Sequence, residues 1–237
     1  MENSLKMSSD IEKDGVLLGV KQFPVWREET QITRHDGDIY IIENPELDLF
    51  KTPLVDELLK RDKEQRLKKP LNSLAHGGMK VRNLEALNIP FFDLINARAK
   101  VFFKLVTGKK KAVVDDCWAN VMNQGEWLIP HSHQRSSLSV VYSLEPGNGV
   151  DVSNEPLNGH LMFSDPRLPQ CCPYAPNHVQ SFFRPIGDIS SAMVIFPSNL
   201  THMVAPYQGD TSRITIAWNI NEKEVAGDLV HVGETNE

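Results

Sequence analysis

The sequence predicts a mainly β protein, an antiparallel sandwich or barrel with helices packed on one outer face. Two observations carry that expectation. After Gly108 the chain breaks into seven short apolar segments bounded by Gly, Pro and Asn: VVDDCWANVM, EWLIPHSH, SLSVVYSL, GHLMFSD, SAMVIFPS, HMVAPY and RITIAWNI. Short segments at regular intervals are what antiparallel closure requires. Before Gly108, two stretches instead repeat apolar residues at helical spacing, which suits helices bracing a sheet.

Taken in order, residues 1–15 are polar and read as a flexible N-terminus. Between Val16 and Ile42, GVLLGVKQFPVW and DGDIYIIE read as strands separated by polar turns. Helices follow from Pro53 to Arg66, with Leu54, Leu58 and Leu59 on one face, and from Leu84 to Leu105, with Leu87, Phe91, Leu94, Ile95 and Ala99. The seven β segments form a core barrel over 109–221, and residues 166–187 make its longest loop. With no internal repeat, residues 16–237 read as one domain, the strands and helices of 16–108 supporting the barrel.

Composition narrows the partners. The 237 residues carry a formal net charge of −6, so broad capture of nucleic acid or of an anionic membrane is not expected. The one basic run, Lys109 to Lys111, is short enough to be a solvated turn. No apolar stretch reaches the ~20 residues of a membrane span, and the polar start lacks a secretory signal, which points to the cytoplasm. Three cysteines, two of them adjacent at Cys171 and Cys172, do not make a disulfide framework. Nor do those two with His178 have the paired spacing of a metal site.

Of eight histidines, His35, His76, His178 and His231 have no partner pattern. His160, in GHLMF, is a candidate for lining a cavity. His131 and His133 stand two apart, which on a strand sends both imidazoles to one face. His202, after the apolar segment Met193–Phe196 and a Pro-Ser-Asn turn, can bring a third nitrogen to the same ion. Three ligands on one face leave positions open for other groups, as non-haem iron oxygenases require. Arg213 opens the strand RITIAWNI eleven residues after His202, and alternation puts Thr215, Ala217 and Asn219 on its face. A guanidinium in a barrel mouth grips a carboxylate through two parallel hydrogen bonds, and Thr215 can add a hydroxyl. The alternative is a surface ion pair at an edge strand. Trp118, Trp127 and Trp218 read as core residues, Trp218 alternating away from Arg213; Asp165 and Arg167 read as a pair fixing a loop.

From Trp118 to Asn219 the chain resembles the 2-oxoglutarate/Fe(II) oxygenases related to prolyl hydroxylases. The likeness is carried by WANVMNQGEWLIPHSH, SLSVVYSLEPG, GHLMFSDPR, VIFPSNLTHMVAP and SRITIAWN. It implies a double-stranded β-helix, the jelly-roll or cupin-like fold, and an oxidoreductase. By this resemblance His131, His133 and His202 fall on the metal positions and Arg213, helped by Thr215, on the site for the distal carboxylate of 2-oxoglutarate. Asn120 falls on a strand that adds a cosubstrate contact, and Ser139, Ser143, His160 and Asn219 are candidates for the pocket wall. The implied cofactors are Fe(II) and 2-oxoglutarate, with ascorbate a candidate reductant. The implied reaction couples oxidative decarboxylation of 2-oxoglutarate to hydroxylation, by O2, of a small-molecule or peptide substrate.

Two features depart from the wider superfamily. Its second ligand is normally Asp or Glu, whereas His133 makes this set neutral, as in the HxH variant of the family. Imidazole also suits copper, nickel and zinc. Ser143 stands where relatives often place Tyr, which leaves a smaller wall. Two other readings follow from the residues: a three-histidine oxygenase, iron or copper, that does not use 2-oxoglutarate, and a non-enzymatic metal-binding cupin-like module.

Overall fold

The structure, a computed structural model, describes residues 39–43, 45–68, 79–148, 158–164 and 191–226, with the backbone of short strands at 16–18, 21–23, 33–35 and 184–186. The strands before the first helix are β1 (Val16–Leu18), β2 (Lys21–Phe23), β3 (Thr33–His35) and β4 (Ile39–Glu43). Helices α1 (Thr52–Lys68) and α2 (Pro90–Thr107) flank β5 (Met79–Val81). The barrel strands are β6 (Val113–Met122), β7 (Leu128–His131), β8 (Leu138–Glu145), β9 (Leu161–Phe163), β10 (Arg184–Ile186), β11 (Ala192–Pro197), β12 (His202–Val204) and β13 (Arg213–Asn221). No described helix is long and apolar enough to cross a membrane.

Two antiparallel sheets divide the barrel strands. The large sheet runs β3-β4-β11-β8-β13-β6-β5 and the small one β10-β9-β12-β7, while β1 and β2 pair by themselves. Along the chain β6, β8, β11 and β13 enter the large sheet, and β7, β9, β10 and β12 the small one. That alternation between two facing sheets is the double-stranded β-helix the sequence implies.

Period-2 alternation sorts the large sheet into two faces. Outward go Cys117, Ala119 and Val121 of β6, Val140, Tyr142 and Leu144 of β8, and Ile214, Ile216, Trp218 and Ile220 of β13, all in one apolar cluster with α1 and α2. Trp218 is fully buried, lies nearly parallel to the Phe92 ring at 6.4 Å and donates its indole N–H to Asn96 Oδ1 at 3.0 Å. Inward go Met122, Val194 and Phe196, which meet Leu161, Phe163 and Val204 of the small sheet in a second, smaller cluster. Apart from Trp118, Val141 and Ala217, the remaining buried inward positions of β6, β8 and β13 are polar, and that is where the site lies.

The structure corrects two predicted elements. The stretch from Leu84 to Leu105 is not one helix: a 3-10 turn covers Leu84–Leu87 and α2 begins at Pro90. Asn88 takes a left-handed φ of 52°, and the ring of Pro90 disfavours helix for Ile89 while suiting the first helical position. Gly108, at φ 69°, ends α2 with its N–H on the Lys104 carbonyl. The predicted loop 166–187 contains a strand, since Arg184–Ile186 pairs with β9 as β10. The other readings on residues 1–15, His76, Asp165, Arg167, Cys171, Cys172, His178 and His231 lie outside the described residues, as does the side chain of His35.

An ion-pair brace ties α1 to the turn before β7. Arg66 binds both oxygens of Glu126 at 2.6 and 3.0 Å, both oxygens of Asp62 at 2.8 and 2.9 Å, and the Val121 carbonyl at 3.1 Å. Burial would lower the pKa of Arg66, but its hydrogen bonds to Glu126 and Asp62 outweigh that and raise it. Glu126 also accepts the Asn123 N–H, so one cluster holds helix and turn together.

Candidate metal and cosubstrate site

Three histidines converge at one end of the space between the sheets. One ring nitrogen of each of His131, His133 and His202 lies within 4.8 Å of the other two, near enough for one ion to draw all three together. His131 closes β7 and His202 opens β12, and the two are direct cross-strand partners with rings 4.3 Å apart. Each accepts the same local fixing. Nδ1 of His131 bonds the Ile129 carbonyl at 2.7 Å, and Nδ1 of His202 the Leu200 carbonyl at 2.9 Å. With Nδ1–H donating, Nε2 keeps its lone pair for a metal.

His133 arrives by a different route from the one alternation predicts. Strand β7 stops at His131, so His133 sits in the following turn, held there by its own N–H on the Ser198 carbonyl at 2.7 Å. That turn is pinned to the large sheet. Arg135 binds both oxygens of Asp115 and the Val225 carbonyl, and Ser137 bonds Asn221 Oδ1. Behind it, Ser139 donates to Asn219 Oδ1 and meets Ser198 Oγ, each at 2.9 Å. Ser139 and Asn219 therefore sit in the network beneath the His133 turn.

Burial keeps the imidazoles of His133 and His202 neutral. It is the largest cause lowering His133 to a pKa of about 4 and His202 to about 3, with the charge of His131 next in both. Lys80 adds to the lowering in each case. Neutral imidazole is the ligating form. A fixed tautomer and a neutral donor set of three nitrogens fit a divalent first-row ion such as Fe(II).

Further along the same inner face, Thr215 registers with Asn120 on one side and Ser143 on the other, so the three make one row across β6, β13 and β8. All three are buried. Arg213, at 2% exposure, registers with Met122, whose sulfur lies 3.8 Å from Nη1. Gly159, at φ +65°, leaves the space its stem occupies: a Cβ there would stand 3.1 Å from Arg213 Cδ and 3.0 Å from the Tyr207 ring. Met122 and Tyr207 belong to the inner cluster that also holds Phe163 and Phe196, the rings beside His202. Arg213 and the histidines thus border one layer. His160 precedes β9, which begins at Leu161, and its half-buried ring leaves Nδ1 without a hydrogen-bond partner.

Trp118 is buried, as the sequence reading of a core residue expects, and it also borders the histidines. Its ring lies 5.7 Å from that of His133 and its indole N–H donates to Asn120 Oδ1 at 3.0 Å. The signal was available, because Trp118 shares the parity of Asn120. Ser198 and Lys80 were missed too. Ser198 acts through its carbonyl, which no side-chain pattern reports, and Lys80 belongs to a strand of three residues. Trp127 is half-buried rather than core.

The facing sheets and the histidine group define an oxygenase-type double-stranded β-helix. Residues 116–219 match the model of a family described as "Putative 2OG-Fe(II) oxygenase". The fold is shared with the prolyl hydroxylase from Trichoplax adhaerens, in complex with a hypoxia inducible factor oxygen degradation domain peptide fragment. That structure is 14% identical, with 79% of this chain and 85% of that one covered at a TM-score of 0.52. AviO1 from Streptomyces viridochromogenes is 16% identical, with 75% and 85% covered at a TM-score of 0.52. The chain spans 66% of an oxidoreductase of the 2OG-Fe(II) oxygenase family from Burkholderia pseudomallei, 15% identical over 63% of this chain at a TM-score of 0.43. No relative is found among curated proteins. Over residues 116–219 this chain is thus similar to the 2OG-Fe(II) oxygenases, a family that uses Fe(II) and 2-oxoglutarate.

Proposed function

We propose that this chain hydroxylates an aliphatic C–H bond, with His131, His133 and His202 as the ligands of Fe(II) and Arg213 as the anchor of 2-oxoglutarate. Residues 16–237 act together as one oxygenase domain in this reading. When bound, the ion and 2-oxoglutarate with O2 supply the oxidising chemistry, releasing succinate and CO2 as the substrate gains a hydroxyl.

The protein's share is positioning. The Nδ1 bonds of His131 and His202 aim both Nε2 atoms, and the Ser198 carbonyl holds the His133 turn. Arg213 offers two parallel N–H donors to the distal carboxylate, with Thr215 adding its hydroxyl and Asn120 a further contact in the same row. Ser143 and His160 border the remaining space. Trp118 shields the histidines from water on the β6 side, which strengthens every charge interaction behind it.

The observation that carries the reading is a buried guanidinium on the polar face that also leads to the histidines. A three-histidine oxygenase without 2-oxoglutarate has no use for it. Calorimetry under anaerobic conditions with Fe(II) should give 2-oxoglutarate binding in the wild type. Arg213→Ala should weaken it about 10- to 100-fold, the worth of a charged hydrogen-bond pair. Absence of binding to the wild type, or oxygen uptake indifferent to 2-oxoglutarate, overturns the proposal.

A further inference from the structure

One short turn aims two of the three histidines. Between β11 and β12 the Leu200 N–H closes on the Pro197 carbonyl at 2.9 Å, and the chain then runs straight into His202. The Leu200 carbonyl of this turn takes Nδ1 of His202 at 2.9 Å, and its Ser198 carbonyl takes the N–H of His133 at 2.7 Å. The N–H of Ser198 donates to the Ser137 carbonyl at 3.1 Å, so the backbone of Ser198 holds both ends of the stretch from His133 to Ser137. Where Ser198 stands therefore decides where His133 stands.

Ser198 is itself fixed by its side chain. Its hydroxyl meets that of Ser139 on β8 at 2.9 Å, and Ser139 donates to Oδ1 of Asn219, its cross-strand partner on β13, at 2.9 Å. All three are buried, Ser198 completely. Three buried polar side chains cost free energy that apolar residues of similar size would not, so such a relay is a poor way to stabilise a sheet. What a fully bonded relay supplies is a single orientation. Asn219 shares the inner face of β13 with Arg213 and Thr215, so one strand carries the guanidinium at one end and the base of the relay at the other.

We propose that Asn219 and Ser139 are positioning residues of the metal site: through Ser198 they hold the turn from Pro197 to His202, and that turn sets His133 and His202 toward a common ion. Neither residue is a ligand. Their effect on the ion passes through the Ser198 carbonyl and the His133 N–H.

This role rests on His133 being a ligand, as proposed above, and two measurements keep the two readings apart. Amide hydrogen exchange of the metal-free protein, followed by NMR, tests the relay alone. Ser139→Ala and Asn219→Ala should each lower the protection of the His133 amide about tenfold or more. The Tyr207 amide, bonded to the Glu126 carbonyl at 2.9 Å and outside the turn, should keep its own. Asn219→Asp retains an acceptor of the same shape and should retain the protection of His133. Anaerobic calorimetry with Fe(II) alone tests the consequence. Both alanine variants should bind about tenfold more weakly, as loss of a group that orients a ligand does, and His133→Ala more weakly still. Protection of His133 unchanged in the alanine variants, an equal loss at Tyr207, or exchange in Asn219→Asp as fast as in Asn219→Ala overturns the relay. Fe(II) affinity that survives in the alanine variants but is lost in His133→Ala overturns its role in metal binding. Fe(II) affinity unchanged in His133→Ala removes His133 from the ligand set and overturns both readings.

Discussion

The two faces of the large sheet are built from the same strands by the same alternation, and they do opposite things. The outer face of β6, β8 and β13 is apolar without a break and meets two helices. The inner face of those strands holds Asn120, Ser139, Ser143, Arg213, Thr215 and Asn219, all buried. One face accumulates hydrophobic stabilisation. The other gives some of it up to keep polar groups dry and oriented. A substitution moved by one residue along β13 should therefore change stability or activity, not both.

The largest effect is expected on the inner side. His202→Ala should reduce 2-oxoglutarate turnover to background and abolish tight Fe(II) binding by calorimetry, while the metal-free melting temperature changes little. Loss of folding instead would make the histidine structural. On the outer side, Trp218→Ala should cost about 3–5 kcal/mol in urea unfolding through cavity formation. Its folded fraction should bind 2-oxoglutarate as the wild type does, and a weakened site would erase the division between faces.

A third test uses acid. His133 and His202 have folded-state pKa values lowered to about 4 and 3. The unfolded chain thus binds more protons than the folded one between those values and about 6.5. Metal-free protein should be at full stability above about pH 6.5 and lose it as pH falls toward 4. The double variant His133→Ala, His202→Ala should flatten that slope in a series of melting curves. The smallest effect belongs to Cys117, on the outer face. Burial is the main cause holding its thiol well above the usual range, so peptide mapping after iodoacetamide at pH 8 should find it unmodified in the native protein.

Legibility followed the same division. Alternation alone put Arg213, Thr215 and Asn219 on one face, because β13 is a regular strand of nine residues apart from one register shift on each side. It gave the wrong reason for His133, since β7 ends two residues earlier and a backbone hydrogen bond completes the approach. Composition gave the burial of Trp118 but not its place beside His133, for a large aromatic residue reads as core whichever way it points. The helix break at Pro90 was written in the residues, but apolar spacing carried the reading across it. Lys80 had no signal at all, because its place depends on a pairing between β5 and β6 some forty residues apart.

The pairing of His131 with His202 has a mechanical consequence. These two come from the small sheet, whereas the His133 turn hangs from Ser198, Asp115 and Asn221 of the large sheet and its ends. An ion held by all three would clasp the two halves of the barrel like a rivet. Loading the metal would then stiffen the mouth through which substrate enters, and the hinge of that mouth would be the turn from His131 to Ser137.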